Sequence, residues 1–256
     1  MTKMNWKSVA YPALGVVLFL ALWQMYVVLF KVPLAMLPTP LQIAHSFVDD
    51  RVALFSQAWV TLLECVYGFV LAFVVGVPIA FIIASSPGLN RTFYPLLIAM
   101  QSVPKVALAP IVLVWLGTGM ESKLALVWLV AFFPIVVDTA AGLRTTPVNL
   151  LELATSLRAS RLQVFTKIQI PAALPHIVSG AKIAVTLAVI GAVIGEFVGS
   201  NEGLGNLLLV ANSQINTPLS FAALILLAVL GLGLYGAVAL AEHALTPWLP
   251  HTVEHE

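Results

Sequence analysis

Charge is what this sequence has least of. Only 9% of its 256 residues are Asp, Glu, Lys or Arg, against about a quarter in ordinary soluble domains. That scarcity excludes a solvated globular surface. Cysteine occurs once, at Cys65, so no intrachain disulfide can form, and the redox compartment stays open. The net charge is +1, without the basic excess of a nucleic-acid binder, and no nucleic-acid partner is expected. There is no G-x-x-x-x-G-K-[ST] run, so ATP cannot be bound by a phosphate loop of that kind. An HExxH pair or other nucleophile–base or metal constellation is also missing. Of the five histidines, His251 and His255 sit in a polar tail with no metal-like spacing. The chain is therefore not expected to be an enzyme, nor to hold a cofactor or metal.

What the sequence has instead is apolar length. Apolar residues make up 61% of it. Tyr11–Phe30, Val66–Ala84 and Leu219–Ala241 carry no formal charge, and each can cross about 30 Å of hydrocarbon as a helix. Three less clean runs join them. Phe93–Leu116 is interrupted by Ser102, Pro104, Lys105 and Pro110; Leu124–Leu143 contains Pro134 and Asp138; Ile177–Gly199 contains Lys182 and Glu196. The expectation is an all-α membrane protein with six spans, five being the alternative. The basic start before the first run resembles a secretory signal. Its apolar run is too long for one and lacks a small-x-small cleavage site, so a retained first helix is expected. Lysine and arginine orient the spans. With the N-terminus inside, the inner segments hold Lys3, Lys7, Arg91, Arg144, Arg158, Arg161, Lys167 and Lys182, against Lys31, Arg51 and Lys123 outside. Both termini are thus expected in the cytoplasm. Trp6, Trp115 and Trp248 fall near span ends, as interfacial anchors do.

The connections are informative. Thr39-Pro40 offers an N-cap and a first-turn proline for a short outer helix through about Val48. Ser200–Pro218 reads as an outer loop with Gly203 and Gly205. The segment from Arg144 to about His176 is too apolar for a solvated linker and too charged to span. Thr146 can cap a helix beginning at Pro147, on which Leu150, Leu153, Ala154 and Leu157 share a face. Ser160 and Gln163 form a capping-box signature, and Leu162, Phe165 and Ile168 continue an apolar stripe that Pro171 should end. Two short helices joined near Arg158–Ala159 follow. They could lie on the lipid surface or insert as a knob into a groove on a cytoplasmic partner, and the pattern alone divides evenly between the two.

The stretch Glu152-Leu153-Ala154-Thr155-Ser156-Leu157-Arg158, continuing to Ile168-Gln169-Ile170-Pro171, resembles the EAA motif of permease subunits of binding-protein-dependent ABC importers. The glutamate and proline fall at matching positions, while Arg158 stands where the family has glycine. Leu37-Pro38-Thr39-Pro40, Val103-Pro104-Lys105-Val106-Ala107-Leu108-Ala109-Pro110 and Gly195-Glu196-Phe197-Val198-Gly199 resemble the branch importing nitrate, sulfonates, taurine, bicarbonate or vitamin precursors.

The resemblance implies a single permease domain over 1–256 in the bacterial inner membrane, similar to type I importers. Its coupling loop would span about 144–176 and use Glu152, Ala154, Leu157, Arg158, Ala159, Ser160 and Arg161. It implies two permease copies, with a homodimer typical of the branch, two ATPase subunits carrying ATP and Mg, and an external solute-binding protein. If the turn at Arg158 needs φ > 0, a non-glycine residue there costs about 1 kcal/mol. Lys105, Asp138 and Glu196 are ionisable groups in or near spans. Each is a structural or snorkelling group, easiest for Glu196 near an outer end, or lines the translocation path. Gly68, Gly76, Gly191, Gly195, Gly231, Gly233 and Gly236 are expected to allow close helix packing, with Gly191 and Gly195 as a G-x-x-x-G face. The competing function is an ion-gradient-driven secondary transporter, which would leave the amphipathic loop without a task.

Overall fold

The computed structural model describes residues 6–245. The tail with Trp248, His251 and His255, and the side chain of Trp6, lie outside what is described. Among the described residues every regular element is helical: α1 Trp6–Leu29, α2 Pro40–Asp49, α3 Arg51–Ser85, α4 Pro87–Gln101, α5 Ala109–Leu116, α6 Met120–Arg144, α7 Val148–Ser156, α8 Arg161–Val164, α9 Ile170–Gly199, α10 Leu204–Ser213 and α11 Thr217–Leu245. Five helices, α1, α3, α6, α9 and α11, are long and apolar enough to cross a membrane.

The sixth expected span, Phe93–Leu116, is not one helix. α4 and the segment leading into α5 meet at 85°. Pro104 withholds a donor at the break and Pro110 lies in the first turn of α5, so the chain turns through a 3₁₀ segment, Lys105–Leu108. Lys105 therefore sits at a bend rather than deep within a straight span.

The core is a three-helix sandwich of α3, α6 and α9. Cys65, Ala72, Val127, Ala131, Ile135, Ala184, Ala188 and Ala192 are buried together there. Small side chains let the backbones approach, and Val127 of α6 shows how far. A Cβ on Gly68 of α3 would lie 2.3 Å from Val127 Cγ1, and one on Gly191 of α9 would lie 2.8 Å from Val127 Cα. Gly195 also faces α6, whereas Gly233 and Gly236 of α11 face open space within the chain, so their expected packing role is not met there. α1 and α11 bury little of their surface, leaving apolar sides outward, as helices facing lipid or another subunit do.

Two further expectations need correcting. Thr146 does not cap α7: its hydroxyl donates to Leu143 O at 3.1 Å, closing the end of α6, and Pro147 occupies the N-cap position. Pro171 does not end the following stripe either. Phe165–Gln169 form a π turn in which the Ile170 N–H donates to Phe165 O, and α9 runs on from Ile170 with Pro171 in its first turn. The wider π turn gives the proline ring the room that an α-turn would deny it.

Candidate functional site: a helical knob and a buried polar clamp

The knob is built by local rules. α7 ends in a turn where the Arg158 N–H donates to Thr155 O and the Ala159 N–H donates to Ala154 O, the paired bonds of a Schellman motif. Arg158 has φ 53, so it takes the left-handed conformation that glycine adopts most easily. Ser160 then caps α8, with both halves of the capping box formed to Gln163. Phe165 stands edge-on to Phe81 of α3, ring centroids 5.4 Å apart, which seats the base of the knob on the bundle.

Within the knob Ala154 is buried, while Glu152, Arg158, Ser160 and Arg161 are exposed and Ala159 is half-buried. Leu153, Leu157 and Leu162 are 56%, 73% and 71% exposed. That apolar crest stands clear of its own chain.

The ionisable groups expected on the path separate. Lys105 donates through Nζ to Gln101 O, capping the last turn of α4 where the break removes the usual donor, and Nζ lies 5.3 Å from the Phe133 ring centroid. Asp138 of α6 is half-buried and fits against α9 because Gly180 lacks a side chain: a Cβ there would be 2.9 Å from Asp138 Cβ. Glu196 is far from both in role. It is 0% exposed, so it neither snorkels nor faces open solvent in the chain.

Glu196 belongs to a buried network. Its Oε1 accepts from the Thr61 hydroxyl at 2.6 Å and its Oε2 from the Gly205 N–H at 2.6 Å. The Leu204 N–H donates to Thr61 Oγ1 at 2.9 Å and the Gly203 N–H to Gln57 Oε1 at 2.5 Å. Nearby, Lys123 Nζ pairs with Glu64 Oε1 at 2.8 Å, both side chains being buried. Gly203 makes this approach possible. Its φ is 99, and a Cβ on it would lie 1.9 Å from Glu196 Oε1.

Sequence reasoning missed Gln57, Thr61, Glu64 and Lys123, and read α10 as loop. Lys123, counted above as a loop cation, is buried, and the inner Lys182 pairs with Glu242. One cation leaves each side of the tally and the bias keeps its sign. A signal existed: Gln57, Thr61, Glu64, Gly68, Ala72 and Gly76 recur at steps of three and four, a single helical stripe crossing from polar to small residues.

Comparison with known proteins agrees with this architecture. Residues 76–246 match the family described as "Binding-protein-dependent transport system inner membrane component". The chain is 38% identical to a probable ABC transporter permease protein of Haemophilus influenzae, over 89% of this chain and 93% of that one. It is 35% identical to the formylaminopyrimidine transport permease protein ThiX of Halalkalibacterium halodurans, over 93% and 95% respectively. The riboflavin transport system permease protein RibX of Chloroflexus aurantiacus is also 35% identical, over 93% and 91%. A solved structure of the inward-facing MetNI methionine ABC transporter aligns with a TM-score of 0.67 and 25% identity, covering 76% of this chain and 96% of that one. The secondary-transporter alternative is not favoured. With five helices long and apolar enough to cross a membrane and one bent apolar pair among its described residues, the chain belongs to the inner-membrane components of binding-protein-dependent transport systems, as an ABC importer permease.

Proposed function

We propose that this permease works as one of two identical copies, lining between them the path of a small solute that an external binding protein delivers. The knob at α7–α8 docks in a groove on an ATPase subunit, which binds ATP and Mg and carries out hydrolysis. Nucleotide-driven closure of the two ATPase subunits is transmitted through the knob to α9, and alternating access follows because nucleotide and loaded binding protein favour different bundle states. The knob and both termini lie in the cytoplasm of a bacterial inner membrane, and α2 and α10 lie on the outer side.

One observation carries this reading. A rigid knob, fixed at its turn by a Schellman motif and a capping box, presents Leu153, Leu157 and Leu162 with nothing of its own chain over them. A groove on a partner covers such a crest and leaves Glu152 at its edge for a charge-assisted bond.

The test is import into proteoliposomes holding this chain with its co-purified ATPase, supplied with binding protein. Import should require ATP and the ATPase subunit. Glu152→Lys should reduce ATPase association and import while leaving membrane insertion intact, and in intact cells a cysteine at Asn149 should be shielded from an impermeant thiol reagent added outside. Import without the ATPase, full assembly and transport by Glu152→Lys, or outside labelling at Asn149 would overturn the reading.

A further inference from the structure

The first turn of α10 is held in an unusual way. A helix start leaves backbone N–H groups without intrahelical partners, and a Ser, Thr or Asp at the N-cap normally takes one of them locally. Here the N-cap is Gly203, which has no side chain to offer. Three successive amides go to other elements instead: Gly203 to Gln57 of α3, Leu204 to Thr61 of α3, and Gly205 to Glu196 of α9. The start of α10 is thus conditional on where α3 and α9 stand. A local cap would have taken one of these donors without that dependence.

Glu196 is the joint of this arrangement. Each carboxylate oxygen serves a different element, Oε1 taking Thr61 of α3 and Oε2 taking Gly205 of α10. Its backbone lies near the end of α9, whose 30 residues extend about 45 Å. The other end of α9 continues directly from the π turn and α8. One unbroken helix has the ATPase-facing knob at one end and the Glu196 clamp at the other.

α10 also has a surface to present. Leu204, Leu208 and Ala211 are buried with Ile43, Leu54 and Leu219, while Leu209, Val210 and Ile215 are exposed. Ile215, just past the end of α10, has φ 58, a conformation that β-branched residues rarely adopt. The Asn216 N–H donates to Ala211 O and the Ile215 N–H to Asn212 O, so this is the turn position where glycine fits best. An exposed isoleucine is nevertheless displayed there.

We propose that Glu196 is a positioning residue of the import cycle, its carboxylate tying α10 to α9 so that docking of the external binding protein on α10 is felt at the knob. This rests on the importer reading above. The occupant of α10 is the binding protein because α10 lies at the opposite end of α9 from the ATPase-facing knob. Glu196 acts here on the helix start and not on the solute.

The experiment measures ATP hydrolysis by the reconstituted complex with and without solute-loaded binding protein. Glu196→Gln replaces one acceptor oxygen by an amide donor, so one tether faces a donor. Thr61→Val removes the hydroxyl that serves both Glu196 and Leu204, and Thr61→Ser restores it. Stimulation by the binding protein should fall about tenfold in Glu196→Gln and Thr61→Val, a typical scale for lost coupling between sites, with basal hydrolysis unchanged and Thr61→Ser near wild type. Unchanged stimulation in assembled variants, parallel loss of basal and stimulated rates, or no rescue by serine would overturn the proposal. If Glu196→Gln does not assemble, the two Thr61 variants decide. Absence of ATP-dependent import by the wild-type complex would instead count against the importer reading itself.

Discussion

Replacing Lys123 by methionine isolates the buried ion pair. Nζ lies 2.8 Å from Glu64 Oε1, and the two side chains are 9% and 0% exposed. Glu64 is fully buried and Lys123 is the cation that pairs with it, so the lysine is the main compensation for that carboxylate. Methionine keeps the length and apolar stem while deleting the charge. Glu64 is then left buried without its cation, and removing one member of a buried pair costs about 3–5 kcal/mol. Replacing both members by apolar residues of similar size avoids the orphaned charge and is close to neutral in comparable sites. The double variant Lys123→Met/Glu64→Met should therefore recover most of the stability that Lys123→Met loses. Reversible unfolding in mixed micelles, read by tryptophan fluorescence across wild type, both single variants and the double, gives the coupling directly. A Lys123→Met loss below about 1 kcal/mol, or single losses that simply add, would refute the argument, because an exposed surface pair behaves that way.

Lys105→Met should leave the complex assembled but weaken the coupling of ATP hydrolysis to the binding protein. The Gln101 carbonyl at the α4 break loses the ammonium that caps it, and wild-type import and stimulated hydrolysis would show that the cap is dispensable. Arg158→Gly should raise stability by about 1 kcal/mol by relieving the left-handed conformation. A melting temperature below wild type would mean that the guanidinium makes a contact worth more than the strain.

Local chemistry was legible in the sequence and pairing at a distance was not. Thr39-Pro40, and Ser160 with Gln163, announce helix starts because a cap closes within four residues, and both caps formed, the first with Gln42 completing a box the sequence reading had not named. At Arg158 the sequence posed the left-handed turn only as a condition, through the glycine that the resembling family has there, and the structure meets it. The clamp joins residues between 135 and 146 positions apart, apart from the local bond to Gly205. Periodicity says that Gln57, Thr61 and Glu64 share a face, but not which amides or cations meet it. Reading the whole of Ser200–Pro218 as loop was the matching error, because Gly203 stands at the N-cap and Gly205 in the first turn of α10. Their lack of side chains serves the approach of a carboxylate to a helix end, and a short helix follows directly. Pro171 misled because the helix-breaking rule assumes α geometry, which the π turn had already abandoned.

That π turn has a consequence for how the chain can change over evolutionary time. It holds one residue more than an α-turn would, so the knob and the face of α9 packed on α6 do not share one angular register. Deleting a single residue between Phe165 and Gln169 would swing α7 and α8 by about 100° around the helix axis. Ala173, Gly180 and Ala184 would stay where they are. Inserting a residue would turn them the other way. The aim of the proposed docking surface is therefore an independently adjustable setting, open to lineages that must match a different partner without repacking the bundle core.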